Sequence, residues 1–128
     1  MTKTAIVTTE APPPAATYSQ AVRSGQLLQV AGQGPSDPDT GVFVGDTIAQ
    51  QTERTLDSLA AILSAAGSNF DDVVMVRVYL TSPDDFDDMN EVYGRYVREP
   101  FPARTTVYVG LPEGMLVEID ALAVLPAD

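Results

Sequence analysis

The stretch that decides the fold is DDVVMVRVYLTSPDDFDDMNEVY, residues 71–93. Its first part, residues 73–82, is β-branched and almost continuously apolar, the pattern of a largely buried strand. Its second part changes period. Ser82 stands where a helix N-cap belongs, Pro83 suits the first helical position, and Asp84 and Asp85 put negative charge in the first turn. Phe86, Met89, Tyr93 and Val97 then recur every three to four residues, which is one face of a helix. Arg95 and Arg98 are expected to close that helix near the negative end of its dipole. A strand that runs directly into a helix implies layers of both kinds, and the flanking sequence supplies the remaining elements.

Upstream, Ile48, Thr52, Leu56, Leu59, Leu63 and Ala66 form a second helical stripe, opened by a Thr47/Gln50 capping box and stopped by Gly67. Residues 17–23 and 26–33 read as a β-hairpin about Ser24-Gly25, with Tyr18 opening its first strand as a candidate core residue. Residues 3–8 suit an edge strand, and GPSDPDTGVFVG, residues 34–45, is loop. Downstream, Pro100-Phe101-Pro102 precedes strands over 104–110 and 116–125, joined at a Leu-Pro-Glu-Gly turn. The order β-β-β-α-β-α-β-β predicts an α+β fold, a six-stranded mixed sheet with two helices on one face. With 128 residues there is one domain, 1–128, and no third layer for the other sheet face, so oligomerisation is expected to bury it.

Composition excludes much chemistry. The chain has no His and no Cys, which removes Ser-His-Asp and Cys-His nucleophile pairs, His-ligated metals and thiol redox motifs. Lys3 is the only lysine, in a terminal segment. What remains is carboxylate, hydroxyl, amide and arginine chemistry. Seven basic against 18 acidic residues give a net charge of −11, which opposes nucleic acid and anionic membranes as partners. The N-terminus has no targeting pattern and no run spans a membrane, so the expected location is cytoplasmic.

Alternation along a strand puts Arg104, Thr106 and Tyr108 on one face. Arg104 follows a rigid Pro at a strand start, where its planar fork suits bidentate carboxylate recognition; a surface arginine pairing with an acid is the plainer alternative. Glu118 and Asp120 share a face with Leu122 and Val124. They are either an acid–base pair with one raised pKa or a solvated strand end. PDDFDDMNE lacks the glycine and spacing of a calcium loop, and Gly32-Gln33-Gly34 is no dinucleotide fingerprint, though its backbone N–H groups lie at a strand end.

The tracts TYSQAV, VAGQGPSDPDTG, DDVVMVRVYLTSPDDFDDMNEVY, FPARTTV and LVEIDALAV, in this order, resemble the Rid (YjgF-type) reactive-intermediate deaminase family over about residues 4–125. The resemblance implies a chorismate-mutase-like fold assembled as a homotrimer with clefts between subunits. It implies cofactor-independent hydrolysis of 2-imino (enamine) acids to 2-oxo acids and ammonia, with no metal. The family's carboxylate-binding arginine falls on Arg104, its water-orienting glutamate on Glu118, its cleft tyrosine on Tyr18, and its pocket backbone on Gly32. Two positions depart from the family: Ala31 replaces a serine, and Thr106 stands at a pocket cysteine or similar small residue. The loop after Val109 is also one residue shorter. A non-catalytic trimeric binder of small carboxylates is the alternative reading, with a specialised biosynthetic enzyme or an endoribonuclease behind it.

Overall fold

A computed structural model describes residues 2–127. Its strands are β1 (Thr4–Ile6), β2 (Ala21–Ser24), β3 (Leu27–Gln33), β4 (Val73–Leu80), β5 (Ala103–Tyr108) and β6 (Val117–Val124), and its helices are α1 (Ile48–Ala65) and α2 (Phe86–Tyr93). They form one six-stranded sheet in the order β1-β2-β3-β6-β4-β5, antiparallel except for the parallel pair β4 and β5. The α+β architecture expected from the order of elements, a six-stranded mixed sheet with both helices on one face, is the one present.

Local chemistry accounts for the elements. The Thr47 side chain accepts from the Gln50 N–H and the Gln50 side chain accepts in return from Thr47, so α1 begins with its first donors satisfied. It ends where Gly67 takes a positive φ of 75°, letting the Ser68 N–H reach back to the Leu63 carbonyl at 2.9 Å. Leu56, Leu59, Ile62 and Leu63 are wholly buried against Val76, Val78, Leu80, Val117 and Ile119 of the sheet. Each such side chain contributes about 2 kcal/mol of apolar transfer.

Several boundaries differ from the sequence reading. The hairpin turn is Gly25-Gln26, not Ser24-Gly25, because Ser24 already pairs with Leu27. Gly25, at φ 61°, supplies the left-handed first position of a two-residue turn. The strand before it starts at Ala21, which leaves residues 17–20 in a loop. Tyr18 is therefore not core; it is 49% exposed. Residues 83–85 form a single 3₁₀ turn capped by Ser82, and α2 proper starts at Phe86. Arg95 and Arg98 lie beyond its end at Tyr93, pairing instead with Glu91 and Asp71. Finally, β4 is not buried on both faces: Val76, Val78 and Leu80 are sealed while Arg77 and Tyr79 face outward. Its apolar run reflects β-propensity as much as burial.

Candidate functional site

Two cavities hold the residues in question. The larger, about 550 Å³, is walled by Pro12, Tyr18, Gly32, Phe43, Met115 and Glu118 among others. A register shift between Val30 and Gln33 bends β3 there and brings Gly32 beside Glu118 of β6. A Cβ at position 32 would stand 2.5 Å from Glu118 Oε2, so only glycine leaves the carboxylate its present position. Two buried amides hold the irregular walls. Gln20 donates to the Thr8 and Pro12 carbonyls and accepts from the Thr8 N–H at 2.8 Å, which fixes the proline segment. Gln51 donates to the Gly45 and Gly114 carbonyls and accepts from the Leu116 N–H, which fixes the segment carrying Met115. Tyr18 is steadied by accepting from the Ala15 N–H at 3.1 Å.

Burial, and then the charge of Asp120, push the Glu118 carboxyl above its ordinary pKa. Asp120 itself is not a free acid–base partner. It is 8% exposed and accepts from Arg77 Nε at 2.8 Å and from the Tyr79 hydroxyl at 3.0 Å. Those bonds raise the pKa of Arg77, while Tyr79 is raised by its burial and then by Asp120. Of the two carboxylates that alternation places on one face, only Glu118 is left to face a ligand.

Arg104 lies in the second cavity, about 400 Å³, with Asn90, Tyr93, Gly94, Val97, Phe101 and Pro102. It pairs across β4 and β5 with Val76, a core residue, so its side chain emerges on the helix side of the sheet. There one guanidinium N–H donates to Asn90 Oδ1 at 2.7 Å. The guanidinium also lies over the rings of Tyr93, at 4.8 Å from the centroid, and Phe86, at 5.5 Å. Among the described residues Arg77, Arg95 and Arg98 form ion pairs, whereas Arg104, like Arg23 and Arg54, does not; of these three only Arg104 lies over aromatic rings. In so acidic a chain, an arginine held without a carboxylate keeps its remaining donors for a ligand.

Arg104 and Glu118 are thus not on neighbouring strands: β4 separates β5 from β6, and the two side chains leave opposite faces. Tyr18, Gly32 and Glu118 come together, whereas Arg104 stands apart. Ala31 and Thr106 line neither cavity; Ala31 donates its N–H to the Gln20 carbonyl, and Thr106 pairs with Val78. Asn90 is absent from the sequence-based candidates, although its spacing of four from Phe86 and three from Tyr93 puts an exposed polar residue beside those rings on one side of α2.

The fold and these two cavities define a class: small α+β domains with a six-stranded mixed sheet, an acid in one pocket and an arginine in another. The family described as endoribonuclease L-PSP matches residues 8–125, and the chain belongs to that family, the Rid or YjgF family. A RutC family protein of Pyrococcus abyssi is 47% identical over 124 residues, which cover 96% of this chain and 98% of that protein. The crystal structure of RidA from a Psychrobacter species matches with a TM-score of 0.91 at 38% identity, covering 95% of this chain and 99% of that one. A structure of Escherichia coli TdcF with bound serine matches at 0.90 and 34% identity, covering 96% and 99%.

Proposed function

We propose that the chain is a hydrolase of reactive 2-imino acids, and that its site is assembled between copies of itself. The observation that carries this reading is the division of labour just described. A cation free of carboxylate partners lies on one side of the sheet, and a carboxyl of raised pKa lies in a cavity lined by no arginine or lysine on the other. Neither cavity alone recognises both the carboxylate and the imine of such a substrate. Three copies around a threefold axis would bring Arg104 of one to Tyr18, Gly32 and Glu118 of the next, and would cover the open sheet face. The serine bound by the TdcF neighbour is a small amino acid whose carboxylate has the chemistry Arg104 suits.

In this reading Arg104 holds the substrate carboxylate, and the ionised Glu118 orients water and takes its proton as the oxygen adds to the imine carbon. Glu118 returns that proton to the nitrogen, and as the C–N bond breaks and ammonia leaves, the carbinolamine hydroxyl gives up its own proton to become the carbonyl of the 2-oxo acid. Carboxylate and arginine suffice for so labile a bond, and no cofactor enters. Imino acids generated in situ with an amino-acid oxidase test it. Wild-type protein should hasten their decay over buffer, and Arg104→Ala should remove most of the gain. No acceleration across several side chains overturns the proposal. A pure carboxylate binder differs at one residue: Glu118→Gln would leave its function intact, whereas hydrolysis loses it while binding of 2-oxo acids persists.

A further inference from the structure

We propose that Tyr93, together with Phe86, is a positioning residue that fixes the Arg104 guanidinium to receive a ligand carboxylate. This rests on the reading of Arg104 as the carboxylate anchor. The need for such a device follows from where Arg104 stands. It is the second residue of β5, one of the two edge strands of the sheet, and carries a long side chain with no carboxylate to hold it. The Asn90 bond restrains one nitrogen, and a single hydrogen bond leaves the plane free to swing. The two rings supply the missing restraint. Phe86, Asn90 and Tyr93 lie at positions i, i+4 and i+7 of α2, one face of the helix, and all three meet the same guanidinium. Arginine stacks on aromatic faces through its plane and keeps its N–H edge for polar partners, so stacking fixes orientation without consuming donors.

Tyr93 acts through its ring. Its hydroxyl is buried and without a hydrogen-bond partner, and the residue is only 5% exposed. Its pKa is raised by that burial, offset in part by the nearby Arg104 charge. Among the described residues the ring face, not the phenol oxygen, is what meets Arg104. A guanidinium already oriented loses less freedom when a carboxylate arrives, which tightens binding without adding a contact.

Calorimetric titration with 2-oxobutanoate tests this on the intact protein. Tyr93→Leu should weaken binding about tenfold with unchanged stoichiometry, Phe86→Leu should do so to a lesser degree, and Tyr93→Phe should bind as wild type. A merely structural role would instead lower the number of competent sites and leave their Kd unaltered, which overturns the proposal. So does Tyr93→Phe binding as weakly as Tyr93→Leu, since the hydroxyl would then be the active group. If Tyr93→Leu does not fold, Phe86→Leu decides: a wild-type Kd there refutes the positioning role. Arg104→Ala separates the two levels. Binding lost in Arg104→Ala but kept in folded Tyr93→Leu refutes the positioning role alone, whereas binding kept in Arg104→Ala removes the anchor and the proposal with it.

Discussion

The two faces of the sheet are made by the same strands and do opposite things. On the covered face Val76, Val78, Leu80, Val117, Ile119, Ala121 and Ala123 lie under the helices with almost no exposure. One residue along each strand, on the other face, stand Arg77, Tyr79, Glu118, Asp120, Leu122 and Val124. The first set is uniform and sealed; the second mixes a buried acid with its two partners, a half-buried acid over a cavity, and aliphatic side chains in partial contact with water. The period of two therefore separates stability from chemistry within a strand. Arg104 is the exception that locates the rim: it lies on the covered side, at the outer strand, where α2 meets it with aromatic rings instead of closing over it.

The largest effect should come from the covered face. Leu59→Ala, at a fully buried position on α1, should cost about 3 kcal/mol in urea unfolding, against under about 1 kcal/mol for Leu122→Ala on the open face of the dilute, unassembled chain. A Leu122→Ala loss that grows with protein concentration is what coverage of that face by other copies produces, whereas equal losses in the unassembled chain would break the comparison. Next, Asp120→Ala should cost about 2 kcal/mol, because Arg77 and Tyr79 lose their shared acceptor. A thermal melt showing no more than the loss from Glu91→Ala, which removes only an exposed pair, would reduce the open-face network to a surface feature. Thr47→Ala should cost about 1 kcal/mol through the capping box of α1, measured by loss of helical circular dichroism on heating.

The smallest effect concerns pH. Because the Glu118 carboxyl is raised in the folded chain, the native state holds a proton that the unfolded state has released between the ordinary carboxylate value and the raised one. Stability contributed by this group therefore falls as pH climbs through that window. Glu118→Gln should abolish the slope, by under about 1 kcal/mol given a half-open, solvent-screened carboxyl. An unchanged slope would place the open face on a par with bulk water.

Elements whose cause is local were legible beforehand. The Thr47/Gln50 box, Gly67 and the stripe from Ile48 to Leu63 specify α1 within a few residues of one another, and β4 and β6 follow from β-branched content. Boundaries set by tertiary contacts were not. Nothing near Tyr18 says that Gln20 would turn inward to bind the proline segment and end the strand at Ala21. Likewise Arg95 and Arg98 are drawn to Glu91 and Asp71 instead of helix carbonyls, since an ion pair and a dipole compete for the same charge.

The same division runs through the site. Residue types and their alternation nominated Arg104, Glu118, Tyr18 and Gly32 without choosing among their readings, and the family resemblance made the choice. The tertiary structure alone decided that Asp120 is taken up by Arg77 and Tyr79, that Gly32 lies where Glu118 approaches closely, and that Arg104 rests on Asn90, Tyr93 and Phe86. Each of these joins residues far apart in the chain, brought together by strand order and a register shift. Spacing along a sequence carries facing within one element; it holds no information on which element will lie alongside.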